Sequence, residues 1–105
     1  MAKKTEILVI GTNEKIRETV LRLLNTNSMW QAMGVGTVEE AVAKCMETTY
    51  EVLLIGAGLT DELETLLITE IKAIQPSIQI IPHYGGGSGL LFAEIYLALG
   101  TNNEA

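Results

Sequence analysis

The most unusual segment for chemistry is Gly85-Gly86-Gly87-Ser88-Gly89, a glycine run leading into an apolar, helix-like stretch. A loop of this kind at a helix N-terminus can cradle an anion with free amides and a favourable dipole. Gly11-Thr12-Asn13 and Gly56-Ala57-Gly58 each follow a strand-like run and would lie beside it, giving one candidate ligand site over three loops. The ligand implied is a small anion or a nucleotide-like molecule. A second reading is purely structural. The glycines allow a sharp turn between Tyr84 and the helix, or bridge a deleted strand. The run matches no phosphate-binding fingerprint, because no lysine follows it and the spacing does not fit a dinucleotide motif.

Little else has the makings of a reaction centre. His83 has no acid or serine partner visible in the sequence and reads as structural or interfacial. Ser88 lacks a nucleophile-elbow context and reads as a helix cap. Cys45 sits on an apolar stripe beside Met46, which suits a buried, inert thiol. A single cysteine makes neither an internal disulfide nor a metal cluster. Glu62, Glu64 and Glu70 read as a solvated helix face, and Trp30 as a packing residue at a strand start. With no acid–base pair and no activated nucleophile, the chain is not expected to be an enzyme. Neither a metal nor a cofactor is expected.

Composition narrows the partners. The 105 residues suit one domain over the whole chain, with a frayed tail from about residue 101. At 48% hydrophobic and 19% charged, the chain is globular in character. A net charge of -6 argues against a nucleic-acid backbone as partner. No apolar run reaches the ~20 residues that span a bilayer, so no membrane partner is expected. Met1-Ala2-Lys3-Lys4 leads straight into a strand rather than a signal peptide, which points to a cytoplasmic setting.

These residues need elements to position them. Glu6 to Ile10, Trp30 to Val35, Tyr50 to Ile55 and Ile78 to Ile81 read as strands. Asn13 or Thr12 caps a first helix with Ile16, Val20, Leu23 and Leu24 on its apolar face. Thr37 and Glu40 form a capping box ahead of Val38, Ala41, Val42, Cys45 and Met46. A third helix starts near Thr60 or Asp61, buries Leu63, Leu66, Leu67, Ile71 and Ile74, and stops at Gln75-Pro76. The last helix runs from Leu90 to Leu99 and ends at Gly100. The order βαβαβαβα with short connections predicts a parallel sheet covered on both faces, an α/β flavodoxin-like sandwich of four strands.

Ile7 to Arg17, Thr37 to Ala41, Tyr50 to Asp61 and Pro76 to Ile81 resemble the matching segments of two-component response-regulator receiver domains. The resemblance covers about four-fifths of the chain and rests on hydrophobic pattern and loop placement. It implies a signal-transduction module. The departures imply that its usual chemistry is lost. The family's paired Mg²⁺-binding acids fall on Gly11 and Thr12, and its phosphate-accepting aspartate falls on Gly56. Its switch hydroxyl falls near Tyr84, and the lysine closing its fifth strand has no counterpart because no fifth strand is recognisable. Glycine offers no nucleophile for an acyl phosphate, and Gly11 with Thr12 supplies no carboxylate for Mg²⁺. Asp61 lies too far along to rescue the site and reads as a cap.

The implied reading is a pseudo-receiver, a non-catalytic regulatory or scaffolding domain that works through protein contacts without aspartyl phosphorylation. In the family's strand order, 2-1-3-4-5, the loss of strand five bares strand four as an edge guarded only by Pro82. The last helix is apolar all round. A homodimer is therefore expected, built on His83, Tyr84, Leu90, Leu91, Phe92, Ile95, Tyr96 and Leu99. A further protein partner is implied but not identified.

Overall fold

Ile7, Leu8, Val9 and Ile10 are all buried, and a strand keeps four consecutive side chains from water only at the centre of a sheet covered on both faces. The computed structural model describes residues 4–83 and 88–102, and within the last helix the side chains of residues 91–99. It contains β1 (Thr5–Ile10), α1 (Glu14–Leu24), β2 (Trp30–Val35), α2 (Val38–Glu47), β3 (Val52–Ile55), α3 (Asp61–Ile74), β4 (Gln79–Pro82) and α4 (Ser88–Asn102). The four strands pair in parallel in the order β2-β1-β3-β4. The expected four-stranded α/β sandwich is what the chain forms.

Chain direction decides the faces. The step from β1 to β2 runs one way, and the steps to β3 and β4 run the other. Right-handed crossovers then place α1 on one face and α2 with α3 on the opposite one. Leu8, Leu53 and Ile55 pack with Ala41, Cys45, Leu67 and Ile71 on the α2–α3 side. Val9, Val52 and Leu54 pack with Leu24, Leu91 and Ile95 on the other. The last helix thus shares the α1 face.

Local signals explain the helix starts. Asn13 Oδ1 accepts from the Ile16 amide at 2.9 Å, and Thr37 Oγ1 accepts from Glu40 at 3.1 Å. The return arm of the capping box lands one residue early, with Glu40 Oε1 accepting from the Gly36 amide at 2.8 Å. Thr60, not Asp61, caps α3, its Oγ1 accepting from Leu63 at 3.1 Å. Asp61 is a first-turn acid facing the positive helix end. Gly100 does not stop α4, which continues to Asn102, and β3 begins at Val52 rather than Tyr50. Residues 103–105 of the expected frayed tail lie outside the described residues.

Four residues assigned to apolar helix faces are exposed: Ile16, Met46, Leu63 and Leu66. Met46 follows Cys45, and neighbours on a helix are turned about 100° apart. Leu66 is turned off the Leu67–Ile71 line in the same way, while Leu63 sits in the first turn of α3.

The β4 edge is better guarded than its sequence suggests. Gln79 and His83 donate their amides to Glu51 O and Ile55 O, so residues 78, 80 and 82 turn outward. The Ile78 amide donates to Gln75 O at 3.1 Å, and Ile78 O accepts from Lys72 Nζ at 2.8 Å. Pro82 has no amide to offer. Lys72 therefore joins Pro82 as a guard, and Ile80 is the one residue of β4 with both amide and carbonyl aimed outward. So short an edge is a poor template for sheet extension.

Candidate functional site

The β1–α1 and β3–α3 loops meet at the C-terminal end of the sheet, where open α/β folds hold their ligands. Gly56 donates its amide to Ile10 O at 2.8 Å, which binds the end of β3 to the end of β1. A Cβ on Gly56 would stand 3.2 Å from that carbonyl, so the position is tight as well as bare. Gly58 has a φ of 111°, a conformation that glycine adopts freely and other residues do not. It lies against Thr12, and a Cβ there would collide with Thr12 Oγ1. The β3–α3 loop thus covers the Thr12 hydroxyl.

Arg17 had no role in the sequence reading beyond its place in a resemblance. Its Nη1 donates to Gly11 O at 2.6 Å, and its side chain lies beside Gly34 and Gly36, bridging the β1–α1 and β2–α2 loops. A guanidinium at the Gly11 carbonyl repels a divalent cation from that oxygen. The donor set here is one hydroxyl, main-chain oxygens and an arginine, with no carboxylate at Gly11, Thr12 or Gly56. Mg²⁺ does not fit these residues. Among the described residues no three His, Cys, Asp or Glu side chains cluster in a metal-binding arrangement.

His83 has a partner that the sequence reading missed. Glu94, one turn beyond Leu90 on α4, brings Oε1 to 2.8 Å from His83 Nδ1, and His83 is only 9% exposed. No spacing rule signals a contact between a strand end and a helix eleven residues on. It ties α4 to the end of β4.

At the opposite end, Trp30 faces Phe92 and Tyr96 with ring centroids 5.7 and 5.1 Å away. Asn27 Nδ2 donates to the Tyr96 hydroxyl at 3.1 Å. The α1–β2 turn and the start of β2 are thereby joined to α4, and a separate cleft lies between α1 and the sheet end. It is a cavity of about 630 Å³ lined by Gly11, Thr12, Asn13, Gly56 and Gly58 at its mouth. Deeper in, its walls include Val9, Leu54, Val20, Leu23 and Leu91.

Five of the ten candidate ligand residues therefore lie together. Of the other five, Gly85, Gly86 and Gly87 are outside the described residues, as is Tyr84, and of Ser88 and Gly89 only the helical backbone is described. Ser88 is the first residue of α4 itself. Of the residues expected at a subunit contact, Leu91 and Ile95 are 1% and 0% exposed in the chain's own core and have no surface to give a partner. Tyr96 is exposed, Phe92 and Leu99 are half-buried, and the side chain of Leu90 is outside the described residues. Cys45 is buried, and that burial pushes its thiol pKa up, as suits an inert side chain.

No protein-family model matches the chain, and no curated protein matches it. Solved structures do. The signal receiver domain of an HD-domain-containing protein from Pseudomonas fluorescens superimposes with a TM-score of 0.84 at 15% identity, over 98% of this chain and 100% of that one. A two-component response regulator from Clostridium difficile gives 0.81 at 16% identity, over 96% and 100%. A CheY-like receiver domain from Methylobacillus flagellatus gives 0.72 at 16% identity, over 94% and 98%. The chain has the receiver fold, a receiver-like domain with glycine and threonine at the positions that the resemblance assigns to acids.

Proposed function

We propose that the chain is a signalling regulatory domain that acts without aspartyl phosphorylation and without catalysis, through contacts with other proteins including a second copy of itself. One observation carries the first part. Gly56, the residue at the position that the resemblance gives to the phosphate acceptor, has its amide bound to Ile10 O, and the Arg17 guanidinium donates to Gly11 O. An acyl phosphate needs a carboxylate nucleophile, and Gly11, Thr12 and Gly56 supply none.

The homodimer rests on α4. Its buried side, Leu91 and Ile95, is spent on the chain's own core, yet Tyr96 and Leu97 are 56% and 73% exposed beside half-buried Phe92. A second α4 about a two-fold axis would cover them. The guarded β4 edge favours helix packing over strand pairing as the contact.

Intact-mass spectrometry after incubation with acetyl phosphate and Mg²⁺ tests the regulatory reading. The expected spectrum is unchanged. A hydroxylamine-labile gain of one phosphoryl group would overturn it.

A further inference from the structure

Among the described residues, the α1–α4 cleft is a void whose chemistry the regulatory reading leaves unused. Its apolar surface is mainly Ile16, Val20 and Leu23 of α1, over the buried Val9 of β1, Leu54 of β3 and Leu91 of α4. Its mouth is polar. Lys15 lines the α1 side, and His83 lines the side where β4 ends. Glu94 Oε1 accepts from His83 Nδ1, so the free Nε2 of the neutral ring is an acceptor and the cationic groups at the mouth are Lys15 and Arg17. The chain has 13 acids against 7 bases, yet among the described residues the charged groups lining the cleft are Lys15 and Arg17.

The apolar face of α1 supports the same conclusion. Ile16 is 61% exposed, and Val20 and Leu23 are only half-buried, so a helix face built for burial is left uncovered along the cleft. The volume lies within the ~300–1,000 Å³ typical of small-molecule sites, which combine apolar walls with a few convergent polar groups.

We infer that the α1–α4 cleft binds a small amphiphilic anion, its apolar body along the uncovered face of α1 and its carboxylate or other oxyanion at the mouth beside Lys15. Binding is non-covalent. It would fasten α1 to α4 and so bear on the α4 surface from beneath. The inference does not depend on the fate of Gly56, because the cleft exists whether or not the domain accepts phosphate.

Decanoate, well below its micelle concentration, is the probe, with decanol and decyltrimethylammonium as neutral and cationic counterparts. Binding is read by amide shifts in NMR spectra and by fluorescence of Trp30, the only tryptophan. The expected result is saturable binding of decanoate, with shifts on Val9, Val20, Leu54 and Leu91, and binding at least about tenfold weaker for the two counterparts. Lys15→Glu, on the exposed surface, should weaken it roughly three- to tenfold. Val20→Phe, which fills the cleft, should remove it while circular dichroism stays unchanged. Equal binding of all three amphiphiles, shifts confined to the α2–α3 face, or no saturable shift would overturn the inference. Co-sedimentation with phosphatidylglycerol vesicles without decanoate binding would also overturn it, by making the target a bilayer lipid.

Discussion

Gly58 lies so close to Thr12 that only a residue without a side chain fits, and its φ of 111° is one that other residues resist. The two loops at the sheet end therefore fit together by shape. Gly58→Ala should cost about 1–3 kcal/mol in urea unfolding, from the strained φ together with the collision. Adding Thr12→Ala should return the collision part and leave the φ part. A Gly58→Ala protein as stable as wild type would show that the loops can part freely.

Gln75 binds three main-chain groups that the ends of α2 and β3 leave unpaired. Its Nε2 donates to Cys45 O and Thr48 O at 2.7 Å each, and its Oε1 accepts from the Tyr50 amide at 2.8 Å. Gln75→Ala should cost about 1–3 kcal/mol by leaving polar groups without partners. Gln75→Glu should be no better, since a carboxylate would face two carbonyl oxygens. Chemical denaturation of both variants checks this. A neutral Gln75→Ala would mean that water replaces the amide without loss.

The role of Gln75 was not legible in the sequence, where it marked only the end of a helix. The strands were legible, because runs such as Ile7 to Ile10 and Val52 to Ile55 have one physical explanation, a doubly covered parallel sheet. Caps were legible too, since Asn13, Thr37 and Thr60 act within three residues of themselves. The site was half legible. The glycines at 11, 56 and 58 could be placed at one sheet end by topology alone. The bonds of His83 with Glu94 and Lys72 with Ile78 depend on where β4 and α4 settle, which periodicity does not encode. The edge of β4 looked open for the same reason, because its guard comes from another element.

Alkaline pH should reveal the buried acids of the α2–α3 face. Burial raises the Cys45 thiol above its ordinary 9.0. Burial first, and then the charge of Glu6, raises the Tyr50 phenol above 10.0. In both cases the folded state holds its proton more tightly than the unfolded chain does. Stability from this source is then fully present below pH 9 and is lost as pH rises through the folded values. Urea midpoints should be flat from pH 7 to about 9 and fall above it. Cys45→Ala should remove the lower part of that fall. Thiol titration with a disulfide reagent should be slow in the native protein at pH 8 and fast in urea. Rapid native labelling would contradict the buried, inert thiol.

The assembly expectation comes down to Leu97. Leu91 and Ile95 are held in the chain's own core, so charging either would test folding rather than association. Leu97 is exposed, and among the described residues no hydrophobic core cluster includes it. A helix that hides only half of its apolar surface needs a second cover, and a second α4 provides it with matching chemistry. A specific contact of this kind buries on the order of 1,500 Å² in total. Light scattering should give a dimer at tens of micromolar for the wild-type chain. Leu97→Glu should give a monomer with unchanged circular dichroism. A wild-type protein that stays monomeric at high micromolar concentration would defeat the expectation, as would a Leu97→Glu protein that dimerises as before.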